Sequence, residues 1–168
     1  MREGNTMTTI KTKTGDLMDA KEDIIAHQVN CYGGAGGLAA AVFEKWPDAR
    51  NDYEQLINRV CPEGIEADKS LEARMSLLGA AQLTGQQKDG HIIANLYGQL
   101  FPGADYRPDA LAHALTRLGT MARMHGWSVA LPYKLSCGIC GGDWKEVRQI
   151  IKSTMHGVEC VIYRRPGD

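Results

Sequence analysis

The sequence predicts an α/β domain in which helices cover both faces of a mixed, mostly parallel sheet. Strand-like and helix-like segments alternate along the 168 residues, which is typical of α/β proteins. Two dense glycine clusters each follow a predicted strand and precede a predicted helix. Lys88-Asp89-Gly90 separates two extended segments, and its Asp-Gly pair is a strong hairpin signal that makes one strand pair antiparallel.

The first elements are two strands and a helix. Met7–Lys13 is rich in threonine and is predicted as a strand. Ile24–Asn30 is a short apolar run that ends at the first glycine cluster, and it is predicted as the second strand. A helix is predicted over Gly36–Trp46, and it should stop at Pro47 because proline has no amide hydrogen to donate.

Two more helices should follow. Asp48 is expected to cap the second helix, which Pro62 ends. Its apolar residues recur at helical spacing and form one stripe: Tyr53, Leu56, Ile57 and Val60. Ala67–Leu77 is predicted as a further short helix.

The second half begins with the hairpin, whose strands are predicted at Leu78–Gln86 and His91–Gly98. Pro108–Met124 is predicted as a helix, because proline suits the first turn and Gly126 follows the last apolar position. The remaining elements are a strand at Ser128–Pro132, a helix at Asp143–His156 and a strand at Val158–Tyr163.

Composition and charge exclude several classes. The 19 basic and 20 acidic residues give a net charge of -1, which argues against a general binder of duplex nucleic acid. With 43% hydrophobic residues the chain is not globally disordered, and no apolar stretch approaches the roughly 18 residues of a membrane span. No apolar run follows Met1–Gly4, so we expect no secretory signal and a cytoplasmic location. We expect one domain over 1–168, with a core at about 8–163 and flexible residues 1–6.

The five cysteines are Cys31, Cys61, Cys137, Cys140 and Cys160. An odd number without an export signal predicts reduced thiols. Cys137-x-x-Cys140 has the spacing of a redox pair, but a zinc site would need two more ligands and the chain has no second such motif. We therefore expect no metal and no cofactor.

The two glycine-rich loops are the candidate ligand site. The first contains Gly33, Gly34, Gly36 and Gly37, and the second runs from Ser136 to Gly142. Amide N–H groups at a helix start bind phosphate, and glycine lets the backbone approach it. Both loops follow strands, so they should lie at the same edge of the sheet, where together they would fit a diphosphate. The alternative is that the glycines only make tight turns.

Two common nucleotide-binding motifs are absent or incomplete in this sequence. No Gly-x-x-x-x-Gly-Lys-Ser/Thr string is present. Gly34–Ala39 matches the dinucleotide fingerprint, but the acidic residue that should follow a second strand about 20 residues on would fall in Asp52–Val60, which is predicted as helix. The sequence therefore does not favour a nicotinamide dinucleotide.

Four segments resemble the macro domains that bind ADP-ribose: Thr14–Leu17, Val29–Leu38, Ala94–Gln99 and Leu131–Trp144. Their order and spacing match over nearly the whole chain. Ala94–Gln99 is similar to phage and bacterial members, which lie near the yeast ADP-ribose-1''-phosphate phosphatase and the terminal ADP-ribose protein glycohydrolase branch. The resemblance implies a three-layer α/β/α sandwich with about six strands.

The resemblance also implies how ADP-ribose would bind. The Asp16 carboxylate would accept a hydrogen bond from the adenine amine, with Leu17 nearby. The first loop would hold the distal ribose and its phosphate, and the second loop would hold the diphosphate. The other implied contacts are Asn30, Gly33, Gly34, Gly36, Gly37, Leu38, Tyr97, Ser136, Cys137, Gly138, Ile139, Cys140 and Gly141.

The resemblance implies hydrolysis at the distal ribose, of ADP-ribose-1''-phosphate or of an ADP-ribosyl adduct. The glycohydrolase branch uses a lysine and an aspartate where this chain has Gln99 and Cys140, which can neither form a Schiff base nor act as a carboxylate base. The catalytic candidates are therefore Asn30, His27 and Asp143, although each also has a structural interpretation: a core amide, a buried histidine and a helix cap.

Two other functions stay open. One is a module that binds ADP-ribose without turnover, and the other is a thiol redox protein that uses Cys137 and Cys140. The expected partner is ADP-ribose or an ADP-ribosylated substrate, with no membrane and no general duplex nucleic acid. The sequence does not predict the oligomeric state.

Overall fold

The computed structural model describes residues 9–168. Its strands are β1 (Thr9–Thr14), β2 (Ile24–Val29), β3 (Ala81–Leu83), β4 (Ile92–Tyr97), β5 (Val129–Pro132) and β6 (Glu159–Arg164). They form one sheet of order β1-β6-β5-β2-β4-β3, in which β3 is antiparallel to β4 and the other neighbouring pairs are parallel. This confirms the predicted mixed, mostly parallel sheet.

The helices are α1 (Gly37–Lys45), α2 (Pro47–Val60), α3 (Ala67–Met75), α4 (Pro108–His125) and α5 (Trp144–Thr154). On one face, α4 and α5 pack Leu115 and Val147 into a buried cluster with Leu96 of the sheet. On the other face, α1 and α2 pack Phe43 and Ile57 into a cluster with Ile25 and Ile93. These clusters form the two interfaces of the three-layer sandwich.

The structure corrects the predicted cap of α2 and the predicted length of the first hairpin strand. Asp48 does not cap α2, because the helix already begins at Pro47, with Trp46 as the N-cap. Proline suits the first helical position. The Asp48 carboxylate instead lies in the first turn, where its negative charge interacts favourably with the positive end of the helix dipole. The first hairpin strand is also shorter than Leu78–Gln86, because Leu77 and Leu78 continue the turns that follow α3. The expected flexible residues 1–6 and the predicted strand start at Met7 lie outside the described residues.

The parallel strands set the position of the candidate site. β2 pairs with β4 on one side and with β5 on the other, so Val29, Tyr97 and Pro132 end these strands at one edge of the sheet. Both glycine loops begin at that edge. Between residues 9 and 168, no helix is long and apolar enough to cross a bilayer.

Candidate functional site

A groove of about 240 Å³ lies at this edge of the sheet. Three loops form its walls: the first glycine loop (residues 30–38), the second glycine loop (residues 136–142) and the segment 99–103, which we call the third loop. The first loop lines the groove with Asn30, Gly36 and Gly37, and the second loop lines it with Ile139 and Cys140. The third loop contributes Gln99 and Gly103, and β2 contributes Gln28. None of the described residues that line the groove is a lysine, a histidine or a carboxylate.

Asn30 holds the first loop through its side chain. Its Oδ1 accepts hydrogen bonds from the amides of Tyr32 at 2.7 Å and Gly33 at 3.2 Å, while its Nδ2 donates to the Gly34 carbonyl at 3.1 Å. The side chain of Asn30 therefore fixes the turn that precedes α1. The amides of Gly36, Gly37 and Leu38 donate to no acceptor among the described residues, so they remain free for a ligand.

Tyr53 supports the same loop from below. Its hydroxyl donates to the Asn30 carbonyl at 2.8 Å and accepts from the Gly33 amide at 3.0 Å. Burial raises the pKa of Tyr53 above its ordinary value, which keeps the hydroxyl protonated as a donor. The sequence predicted Tyr53 only as part of the apolar stripe of α2. Apolar spacing predicts that the ring is buried, but it does not predict the hydrogen-bond partners of the hydroxyl.

The second loop is held by its own backbone. Lys134 and Ser136 adopt positive φ angles of 58° and 67°, and Gly141 has a φ of 87°. The Gly142 amide donates to the Ser136 carbonyl at 2.9 Å, which closes the loop before α5. Asp143 caps that helix by accepting from the Lys145 amide at 3.0 Å.

The tip of the second loop is open to a ligand. The amides of Gly138, Ile139 and Cys140 have no acceptor within the described part of the chain. Ile139 is 81% exposed, so its side chain projects beside the groove rather than into the core. Gly36 and Gly37 of the first loop and Ile139 and Cys140 of the second line the groove, so each loop brings unused N–H groups to it.

A chain of hydrogen bonds crosses the bottom of the groove. Gln99 Nε2 donates to the carbonyls of Phe101 at 2.7 Å and Gly103 at 3.2 Å, which fixes its amide orientation. Its Oε1 accepts from Gln28 Nε2 at 2.8 Å, and Gln28 Nε2 also lies 3.5 Å from Cys140 Sγ. Gln99 and Cys140 are thus brought together through Gln28.

The structure does not bring His27 or Tyr97 into the groove. His27 is 1% exposed, and its Nε2 donates to Asn95 Oδ1 at 2.7 Å. Asn95 uses both amide hydrogens elsewhere, so its oxygen must accept. Burial lowers the pKa of His27 to about 4. Tyr97 is also fully buried and donates to Gln82 Oε1 at 2.7 Å, so both residues belong to the interior between the sheet and α2.

Asp16 and Leu17 lie just beyond the end of β1. The Asp16 side chain is exposed, and its Oδ1 accepts from the Met18 amide at 2.9 Å. This bond occupies one carboxylate oxygen and leaves the other for a donor such as an amine. Leu17 is buried and starts a 3₁₀ turn over Leu17–Asp19.

The cysteines lack the features of a redox pair. All five lie among the described residues, and all are free thiols. Cys137 Sγ lies 3.2 Å from the Leu135 carbonyl, and burial raises the pKa of its thiol to about 11. Cys140 Sγ instead contacts Gln28 and Ser136 Oγ, the latter at 3.6 Å. A mostly protonated thiol is a poor nucleophile, so this arrangement does not favour thiol chemistry.

No family model and no curated protein matches the chain, but solved structures do. The macrodomain of Mycobacterium tuberculosis DarG has a TM-score of 0.73 and 26% identity, over 93% of this chain and 97% of that chain. A macrodomain protein from Streptomyces coelicolor has a TM-score of 0.72 and 27% identity, over 92% and 98%. The chain has the macro domain fold. Thermosipho africanus DarTG in complex with ADP-ribose has a TM-score of 0.72 and 16% identity, over 95% of this macro domain and 42% of that chain.

Sequence reasoning located both loops of this macro domain but missed several residues that hold the loops. Gln28, Tyr53 and Arg74 were not among the predicted site residues. Arg74 lies on α3, a helix that buries none of its residues, yet its Nη1 donates to the Cys31 carbonyl at 2.9 Å. No sequence motif indicates such a contact, because it joins residues 43 positions apart.

Proposed function

We propose that this macro domain binds ADP-ribose in the groove between the glycine loops. The observation that carries the proposal is the pair of unused amide sets, Gly36–Leu38 and Gly138–Cys140, at one groove. Amides at a helix start, such as those of Gly36–Leu38, bind phosphate without a lysine or an arginine, and successive amides of a turn such as Gly138–Cys140 can also bind an anion. The ADP-ribose complex of a protein with the same fold supports ADP-ribose as the diphosphate ligand.

The parts of the ligand have distinct partners in this proposal. The exposed Asp16 carboxylate accepts from the adenine amine, and the second loop donates to the diphosphate. The distal ribose lies against the first loop and Asn30. Because the side chain of Asn30 already bonds to its own loop, it acts by holding Gly36 and Gly37 in place.

Hydrolysis at the distal ribose is the second candidate. It would release phosphate from ADP-ribose-1''-phosphate, or would free ADP-ribose from an ADP-ribosyl adduct. The observation that favours it is Asp143, an exposed carboxylate that directly follows the second loop and does not itself line the groove. One of its oxygens caps α5, and the other could accept a proton from an attacking water. No lysine lies among the described residues that line the groove, so we expect this route to have no covalent lysyl intermediate.

Calorimetry tests the binding proposal. ADP-ribose should bind much more tightly than AMP, because only the full ligand reaches both loops. Asp16→Ala should weaken ADP-ribose binding by about 1–3 kcal/mol, the cost of leaving a donor unpaired. Equal heats for the two nucleotides, or no heat with either, would contradict the proposal.

A turnover assay separates the two candidates. Phosphate release from ADP-ribose-1''-phosphate that falls strongly in Asp143→Asn, with ADP-ribose affinity unchanged, would establish hydrolysis. Borohydride added during turnover should trap no adduct on Lys134 or any other lysine. Tight ADP-ribose binding without turnover of any ADP-ribosyl substrate would instead identify a binding module.

A further inference from the structure

Four side chains form a stack at the surface beside the groove. The Arg74 guanidinium lies 4.2 Å from the centroid of the Tyr32 ring. Tyr32 stacks on Phe101 with the ring centroids 5.5 Å apart and an interplanar angle of 27°. Arg107 lies 6.0 Å from the Phe101 ring. Both rings remain partly exposed, Tyr32 at 38% and Phe101 at 42%.

The stack joins two walls of the groove. Tyr32 belongs to the first loop, and Phe101 belongs to the third loop. The backbones of these loops also meet, since the Cys31 amide donates to the Leu100 carbonyl at 3.0 Å. On the far side, Asp105 Oδ2 accepts from the amides of Leu100 and Phe101 at 2.8 and 2.9 Å, which fixes the third loop.

Arg74 and Arg107 lie outside both loops, and of these two Arg74 bonds directly to the first loop while Arg107 bonds to Asp105. Arg74 Nη1 donates to the Cys31 carbonyl at 2.9 Å, and its Nε donates to Ser70 Oγ at 3.2 Å. Its guanidinium plane therefore covers the Tyr32 ring while it binds the backbone just before that residue. A lysine could supply the charge but not this combination of a flat face and two directed donors.

We infer that Arg74 is a positioning residue that holds the first loop at its working distance from the third loop, and so orders the distal-ribose end of the groove. The inference rests on the proposed binding of ADP-ribose. A loop that is held in place before binding does not lose conformational entropy when the ligand binds. Contacts that hold it therefore increase the affinity for the ligand. The effect should be confined to ligands that carry the distal ribose.

The test compares ADP-ribose with ADP, which lacks the distal ribose, by calorimetry. Arg74→Ala should weaken ADP-ribose binding about tenfold and change ADP binding less than about twofold. Arg74→Lys should not restore affinity, because the flat guanidinium is lost. Arg59→Ala, which removes an exposed arginine from α2, is the matched control and should leave both affinities unchanged.

Tyr32 supplies a second, independent pair of variants. Tyr32→Phe keeps the ring and should bind ADP-ribose as the wild type does, whereas Tyr32→Ala should lose about as much affinity as Arg74→Ala. A thermal melt of each variant checks the fold. An unchanged ADP-ribose to ADP affinity ratio in Arg74→Ala would overturn the inference while leaving the proposed function intact. Failure of the wild type to bind ADP-ribose would overturn the proposed function itself.

Discussion

The two glycine loops are both rich in glycine but are held in different ways. The first loop depends on side chains from elsewhere in the fold: Tyr53 of α2 supports it from below, and Arg74 of α3 covers it. The second loop depends on its own backbone, with positive φ angles and a bond from Gly142 to Ser136. The first loop should therefore be sensitive to distant substitutions and the second to substitutions within it.

The largest expected effect is the loss of ADP-ribose binding in Gly36→Glu. Gly36 has an extended backbone and open space at its Cβ position, so the protein should fold normally. The new carboxylate would stand at the amides proposed to hold phosphate and repel it. Calorimetry should show an affinity for ADP-ribose at least about 100-fold lower, because the negative carboxylate would occupy the place of the negative phosphate and repel it.

Gly85→Glu is the control for this variant, since Gly85 is exposed, has open space at its Cβ position and lies in the hairpin. It should bind ADP-ribose like the wild type. Normal binding by Gly36→Glu would remove the first loop from the ligand site.

The second loop should respond most to Gly142→Ala. A Cβ at this position would lie 2.5 Å from the Ser136 carbonyl oxygen and 2.7 Å from the Tyr106 ring, so the loop must shift. We expect a loss of about 1–3 kcal/mol in stability, typical of overpacking, with ADP-ribose affinity at least about tenfold lower. Gly138→Ala has open space at the same loop and should melt as the wild type does. Equal melting temperatures for the two variants would show that the backbone of the loop tolerates the shift.

A smaller effect on the first loop is expected from Tyr53→Phe. Removing the hydroxyl leaves the Gly33 amide with one partner fewer, which should cost about 1 kcal/mol of stability and reduce ADP-ribose affinity about three- to tenfold. Tyr97→Phe removes a buried hydroxyl that bonds to Gln82 rather than to a loop. The control should lose stability without losing affinity. Similar affinities in the two variants would mean that Tyr53 does not order the first loop.

No effect on ADP-ribose affinity is expected from His27→Gln, because His27 is buried outside the groove. The variant should instead change the pH dependence of stability. The pKa of His27 is about 4 in the folded protein, against an ordinary value of about 6.5. The unfolded chain therefore takes up a proton first, and the wild type should lose up to about 3 kcal/mol as the pH falls from about 6.5 to 4.

In His27→Gln that loss should be smaller by the same amount, as measured by urea unfolding at several pH values. All other ionisable groups are the same in the two proteins, so their contributions cancel in the comparison. Identical pH profiles would contradict the burial of a neutral His27, and a selective loss of turnover would return His27 to the catalytic candidates.

The sequence predicted the order of strands and helices because apolar periodicity, prolines and the Asp-Gly turn are local signals. Gly126 illustrates this, since it ends α4 with a φ of 69° as its position predicts. The sequence also predicted that both glycine loops lie at one groove, because parallel strands end at one edge of the sheet.

The direction of a side chain at a strand end could not be predicted in this way. His27 and Gln28 are neighbours in β2, yet only Gln28 lines the groove. Long-range partners such as Arg74 also leave no periodic signal.

The most direct test of ligand binding by the two loops is an NMR titration of the backbone amides with ADP-ribose. We predict that the N–H resonances of Gly36–Leu38 and of Gly138–Cys140 shift together, in proportion to bound ligand. The amides of the hairpin turn at Lys88–Gly90, far along the chain from either loop, should stay in place. Shifts in the hairpin, or in neither loop, would contradict the claim that paired backbone amides hold the ligand.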